Sequence, residues 1–203
     1  ATLPTIQKAV PIREIRRQFT YRDNLCDGRL VGCTPGYATV NQLKIRERGG
    51  RFLTDADGLN NENVCVIATG VVERLFPYEE PLGKRIYIPE HTDFYRVVGV
   101  LEARNPSAAI GGSLDSQDFS KDVYIPMQTM QKRIGDTIVT RRSGQFQIEM
   151  MELNQITLQV EKVSQVRTTA AVIENILAPK HSEVGDIAVV VPLELLEQAR
   201  NLR

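Results

Sequence analysis

No cysteine in this 203-residue chain stands at the spacing of a zinc or thiol-redox site. Cys26, Cys33 and Cys65 form no Cys-x-x-Cys pair, which excludes the common zinc and thioredoxin-type motifs. Neither sign of charge is in excess. Lys plus Arg is 25 and Asp plus Glu is 25, so no global field gathers nucleic acid or an anionic membrane surface, and no nucleic-acid partner is expected. Long apolar runs are missing too: none exceeds five residues, as in Ile187–Val191, against the roughly 20 that span a bilayer. Histidine is scarce, leaving His91 and His181 for any nucleophilic triad, and Gly111-Gly112-Ser113-Leu114-Asp115 is not the Gly-x-Ser-x-Gly elbow. A Gly-x-x-x-x-Gly-Lys-Ser/Thr phosphate loop is absent, so nucleotide hydrolysis has no site in these residues.

Asp55-Ala56-Asp57-Gly58 with Asn60 and Glu62 has the look of a calcium loop. Counted from Asp55, however, the fifth, sixth and twelfth positions hold Leu59, Asn60 and Val66, where an EF-hand needs an oxygen ligand, glycine and glutamate. The segment reads as a solvated turn. These exclusions leave a domain for which no catalytic residue, metal or cofactor is expected.

What is present is a hydrophobic content of 42%, enough to bury a core in one large domain or two lobes. Ile12–Tyr21 places Ile15, Arg17, Phe19 and Tyr21 on one side and reads as a strand, with a turn at Asp27-Gly28 leading to a second strand at Arg29–Cys33. Cys26 and Cys33 flank that turn. A disulfide is open to them in an oxidising compartment, but buried free thiols are the expectation. Arg13, Arg16, Arg17 and Arg22 read as the wet face of the first strand.

Val64–Ile67 has the composition of a strand buried on both faces, followed by a helix over Thr69–Phe76 with Thr69 as cap and Pro77 as stop. Pro81-Leu82-Gly83-Lys84 reads as a turn into a hairpin of Ile86–Ile88 with Tyr95–Leu101. Arg104–Lys121 is a Gly-, Ser- and Asn-rich surface loop; Val123–Pro126 is a strand end, and Met127, Met130 and Ile134 share a helix face. Phe146 and Ile148 suggest an exposed strand, and Ile156–Val160 alternates cleanly. From Ser164 to Leu177 the residues Val166, Ala170, Ile173 and Leu177 mark a helix that Pro179 ends, with His181 capping its last carbonyls. A buried strand at Ile187–Val191 and a helix from Pro192 complete a strand-helix-strand-helix tail, the grammar of a βαβ unit.

Several segments, taken in order, resemble the periplasmic core domain of MacB-type ABC transporter permeases, a MacB/FtsX-like family. They are Gly50-Arg51-Phe52 followed by Asp55 and Asp57; Val64-Cys65-Val66-Ile67; Leu75-Phe76; Glu80-Pro81-Leu82-Gly83-Lys84 with Ile86; Val97-Val98-Gly99-Val100-Leu101; and Val123-Tyr124-Ile125-Pro126. The resemblance implies an α+β fold of two lobes: a porter-like βαβ lobe from both chain ends, residues 1–40 and 155–203, and an inserted, smaller α/β lobe called Sabre over residues 41–154. It also implies a transmembrane helix before Ala1, another after Arg203, and a cytoplasmic ABC ATPase, fused or separate, whose dimerisation is transmitted to this domain.

The expectation is a non-enzymatic, extracytoplasmic domain of an inner-membrane permease that couples ATP hydrolysis to transport or mechanotransmission. Its expected partners are its own transmembrane helices, the ATPase, a second copy in the intact transporter, and a periplasmic adaptor or substrate. The alternative is a stand-alone extracytoplasmic binding domain without motor coupling. Mobile loops on rigid lobes hold binding function, which selects Arg104, Asn105, Ser113, Asp115 and Asp118 as a partner-contact loop. Gly50, Arg51, Phe52, Pro81, Gly83 and Lys84 form the expected structural motif, in which Arg51 is placed to bond backbone carbonyls.

Overall fold

The computed structural model describes residues 5–103, 119–135, 137–142, 145–150, 153–181 and 188–191, with backbone alone for 137–142, 145–150 and 178–181. It divides into two compact units. One comprises 1–9, 105–117 and 158–203, so it takes in both chain ends; the other comprises 10–104 and 118–157. The architecture is α+β, with one large mixed sheet and few helices.

In the larger unit, strands β1 (Ile6–Tyr21) and β2 (Asn24–Cys33) form an antiparallel hairpin. It turns at Arg22-Asp23, where Arg22 adopts φ 52°. Asp27-Gly28, the expected turn, instead lies inside β2. Glycine serves close approach there, since a Cβ on Gly28 would sit 2.1 Å from the Lys121 carbonyl oxygen.

Strand β3 (Ile45–Gly50) follows a short helix α1 (Gly36–Val40), and β4 (Val64–Ile67) follows helix α2 (Asp55–Leu59). Helix α3 (Thr69–Leu75) leads to the hairpin of β5 (Arg85–Ile88) and β6 (Asp93–Leu101). Beyond a 3-10 turn at Phe119–Lys121 come β7 (Asp122–Pro126) and helix α4 (Met127–Ile134). β8 (Thr137–Arg142) and β9 (Gln145–Met150) pair as a separate hairpin. The hydrophobic pattern showed only the second of these strands, because the apolar residues of the first, Ile138 and Val139, are adjacent and do not alternate.

β2 runs parallel to β7, β7 antiparallel to β4, β4 parallel to β6 and β6 antiparallel to β5. β5 returns to β1 through the pair Thr20 and Tyr87, where the Thr20 hydroxyl donates to the Tyr87 carbonyl at 3.4 Å. Six strands, in the order β1-β2-β7-β4-β6-β5, therefore close into a ring, with β3 added beside β6 and β10 (Gln155–Val160) beside β1.

All six strands send side chains into one core: Ile15 and Phe19, Leu30, Ile67, Ile86 and Ile88, Tyr95, and Val123 and Ile125, joined by Val71 and Leu75 of α3 and Met130 of α4. Convergence from every strand makes this the inside of the ring. A second core lies outside it, where Ile12, Val31, Val66, Tyr124 and Leu101 are covered by Tyr37 of α1 and by Leu53. β4 is buried on both faces for this reason. Gly32 belongs to the inner side, and a Cβ there would meet Met130 Sδ at 2.3 Å, so its absence lets α4 pack onto β2.

Arg13 corrects the wet-face reading of β1. It shares the side of Ile15 and Phe19 and is fully buried. Charge alternation could not reveal this, because the ring gives β1 two partly covered faces.

In the smaller unit, a 3-10 turn at Val163–Gln165 leads to helix α5 (Val166–His181). The Glu161 amide donates to the Thr5 carbonyl at 3.2 Å, and the Thr169 hydroxyl donates to that of Thr5 at 3.1 Å. α5 continues through Pro179 rather than ending there. Ala188–Val191 is irregular, with Ala188 and Val190 exposed, where a buried strand was expected. Its β-branched composition lacks a described strand partner. The expected helix from Pro192 lies outside the described residues.

All three cysteines are free and buried. Cys26 and Cys33 stand on one strand, seven residues and about 23 Å apart at ~3.3 Å per residue, beyond the reach of any disulfide. One belongs to the inner core and the other to the outer. Burial pushes all three thiol pKa values up. Titration with a disulfide reagent at pH 8 is expected to find no fast-reacting thiol in the native chain and three after denaturation; a fast native thiol would contradict this packing.

Candidate functional site

The motif segments meet around the end of β3. Gly50 takes φ 83°, a left-handed conformation that glycine tolerates, and pairs with Gly99 of β6. The Arg51 amide donates to the Val98 carbonyl at 3.0 Å. A Cβ on Gly99 would lie 2.0 Å from the Arg51 carbonyl oxygen, so two glycines let these backbones touch.

Arg51 then grips Asp57 with both terminal nitrogens, at 2.6 and 2.7 Å, and donates to the Phe52 carbonyl at 2.9 Å. Asp57 also accepts from the Thr54 amide at 2.8 Å, completing a capping box that starts α2. The solvated turn read from the sequence is thus a helix whose Asp57 is buried. Asp57 holds a helix terminus and a guanidinium. Among the described residues no group of three His, Cys, Asp or Glu could hold a metal.

Pro81 and Gly83 make the turn into β5, Gly83 at φ 76°. The Gly83 amide donates to the Val97 carbonyl and the Val97 amide to Lys84, both at 2.8 Å. Lys84 reaches Glu79 at 3.1 Å, and Glu79 also accepts from Arg22 and from the Tyr21 hydroxyl. The motif is therefore one connected piece of backbone carpentry.

A charged node that the sequence reading missed sits between β2 and β7. Arg29 and Asp122 are register partners on these parallel strands, bonded Nε to Oδ1 at 2.9 Å and Nη2 to Oδ2 at 2.7 Å. Arg29 also reaches Glu14 at 2.9 Å, the Tyr124 hydroxyl donates to Asp122 at 2.9 Å, and the Phe119 ring lies 5.1 Å from the guanidinium carbon. Burial works against the Arg29 charge, yet the bonds and charge of Asp122 outweigh it and raise its pKa. Burial pushes the Asp122 carboxyl up, opposed by Arg29. The available signal was an aspartate directly before the wholly apolar Val123–Pro126 run: a carboxylate drawn into a buried strand requires a cation.

A cleft of about 150 Å³ lies beside this node, lined by Thr69, Gly70, Glu73, Glu102, Phe119 and Tyr124 among others. The Thr69 hydroxyl, expected to cap α3, donates instead to the Leu101 carbonyl at 3.2 Å, leaving Ala68 at the cap position. Ala103 and Phe119 flank the segment 104–118 in sequence, and both line the cleft. Arg104, Asn105, Ser113, Asp115 and Asp118, the expected contact loop, lie outside the described residues, as does the side chain of His181. At the turn between β5 and β6, Arg17 Nε donates to His91 Nε2 at 2.9 Å, and burial, with Arg17, lowers the His91 pKa.

The family model for the MacB-like periplasmic core domain matches residues 1–176. The chain belongs to this family. Two curated relatives are each a macrolide export ATP-binding/permease protein MacB. One, from Syntrophobacter fumaroxidans, is 28% identical over 117 residues, 57% of this chain and 15% of that protein. The other, from Rhodospirillum rubrum, is 29% identical over 167 residues, 82% of this chain and 22% of that protein. The chain thus matches about a fifth or less of the length of these relatives.

Among solved structures, the extracellular domain of the noncanonic ABC-type transporter YknZ from Gram-positive bacteria aligns at TM-score 0.63 and 20% identity, covering 88% of this chain and 78% of that one. The periplasmic region of MacB from Actinobacillus actinomycetemcomitans gives TM-score 0.63 and 20% identity, over 89% and 70%. These share the two-lobe fold expected from the sequence. The chain is thus a MacB-like periplasmic core domain, and no described helix is long and apolar enough to cross a membrane.

Two substitutions test the two nodes. Hydrogen bonds from Arg51, then from Thr54, hold the Asp57 carboxyl down at about 2. An acid depressed in the folded state stabilises it above the unfolded pKa of about 4, and that contribution fades as pH falls through 2. Arg51→Met is expected to lose about 1–2 kcal/mol at pH 7, the exposed guanidinium reducing the full linkage value, and to show a flatter loss of stability between pH 5 and 2 than the unaltered chain. Arg29→Met strands a buried carboxylate and is expected to cost about 3–5 kcal/mol, read as a lower denaturant midpoint at unchanged slope.

Proposed function

We propose that this MacB-like domain couples ATP hydrolysis on a cytoplasmic ATPase to transport or mechanical signalling across the membrane, working as one of two copies in a dimeric permease. The observation that carries the reading is the family match over residues 1–176, and the names of the curated relatives join ATP binding and permease in one protein. The division of the chain supports it. One unit contains both chain ends, where the rest of a permease would attach, while the other is a closed strand ring with its own core.

In this reading motion enters through the unit that holds the ends. The ring resists deformation, because its interior is packed from every strand, and moves as a body. Two of the passages between units fall inside regular strands, β1 at Ala9–Val10 and β10 at Thr157–Leu158. No enzymatic chemistry is assigned to the domain itself. Macrolide export is the activity named for the curated relatives, and a macrolide is the first cargo to test; a periplasmic adaptor is the first partner.

Tyr78 is 96% exposed on the ring unit, while the native thiols are buried, so Tyr78→Cys accepts donor and acceptor dyes selectively. In full-length permease with its ATPase, reconstituted in vesicles, energy transfer between the two copies is expected to change on ATP and vanadate trapping and to recover on release. Constant transfer while ATP hydrolysis proceeds would overturn motor coupling and favour a domain that only binds.

A further inference from the structure

The outer face of the ring is covered where the second core lies, but the stretch from β2 across β1 and β5 to β6 is not. Register places Leu25 opposite Thr20, Thr20 opposite Tyr87 and Tyr87 opposite Phe94, so these four form one row across four strands. Leu25 is 57% exposed and Phe94 55% exposed. The Tyr87 and Phe94 rings pack against each other at 4.7 Å, which fixes an aromatic platform on a rigid hairpin.

Two residues along both strands stands a second register pair, Arg85 opposite Arg96, on the same outer face and exposed. Like charges directly opposite on a sheet destabilise it. Among the described residues neither arginine is in an ion pair, although Arg22, Arg29, Arg46 and Arg51 all are. An opposed, uncompensated arginine pair beside an aromatic pair in which Tyr87 is half-buried and Phe94 exposed is therefore a local cost that folding does not explain.

We propose that this patch is the docking surface for another protein, through a segment that lays apolar side chains on Tyr87 and Phe94 and inserts a carboxylate between Arg85 and Arg96. The charge decides the partner's chemistry. Two guanidinium forks present paired donors that match a carboxylate, and Arg and aromatic residues are the side chains that dominate protein interfaces. An anionic membrane is disfavoured, because lipid-binding surfaces gather about four to eight cations and the chain has 25 of each charge. The site is separate from the cleft beside Arg29 and does not depend on motor coupling.

The test is selection of a phage-displayed library of 12-residue peptides on the immobilised chain, with counter-selection on the variant R85S/F94S/R96S. All three side chains are exposed, and thermal melting checks that the variant keeps its fold. Enriched peptides are expected to combine Asp or Glu with apolar residues, to bind the variant at least tenfold more weakly, and to weaken further between 50 and 300 mM salt, all figures being order-of-magnitude settings. R85K/R96K, which keeps charge but loses the forks, is expected to recover only part of the affinity. The idea is overturned by peptides without acidic bias, by peptides that bind the variant equally, by Phe94-dependent sedimentation with phosphatidylserine vesicles in place of peptide binding, or by Phe94-dependent dimerisation of the chain itself in ultracentrifugation.

Discussion

Six strands close around one core, and the closure passes through a narrow junction: Thr20 of β1 meeting Tyr87 of β5. On the other side of β1, β2 offers a full antiparallel ladder; on this side a single register pair joins β1 to β5, supported by the Thr20 hydroxyl and by bonds from Arg17 to His91 and from the Gln18 amide to Glu90 just beyond β5. What makes so small a junction sufficient is the interior. Phe19, Ile86 and Ile88 stand at or beside it with no exposed surface, and opening the ring would return them to water at roughly 1.5–3 kcal/mol for each fully buried side chain. The aromatic row on the outer face is a consequence of the same junction, because closure brings Leu25 and Phe94 into one line.

The ring also explains the price placed on charge. Arg29 and Asp122 are held at the boundary between strand core and solvent, and the pair ties β2 to β7, reaches β1 through Glu14, and seats Phe119 at the point where the chain re-enters the ring. Replacing such a pair with apolar residues is often neutral, so its value lies in register rather than in net stability. Parallel strands such as β2 and β7 have no hairpin to set their alignment, and a bidentate pair between register partners performs that task. Arg51 and Asp57 act similarly on a smaller scale, fixing where α2 begins against the end of β3.

The segments that carry the resemblance gather at the contacts of β3, β5 and β6, where Gly50 and Gly99 let backbone meet backbone and Gly83 turns the chain at positive φ. Glycine and proline recur there because the chain must turn or touch.

Local pattern determined much by itself. Alternation fixed the β5–β6 hairpin and β10, the wholly apolar Val64–Ile67 announced a strand covered on both faces, and helical spacing located α3, α4 and α5, since each of these depends on neighbours a few residues away. The ordered motifs pointed to the family. Tertiary structure alone decided that Arg13 is buried, that Asp27-Gly28 lies within a strand, and that Arg29 and Asp122 meet across 93 residues of sequence. Each of those outcomes depends on which distant strand lies alongside, a quantity set by ring closure and invisible to any short window of residues.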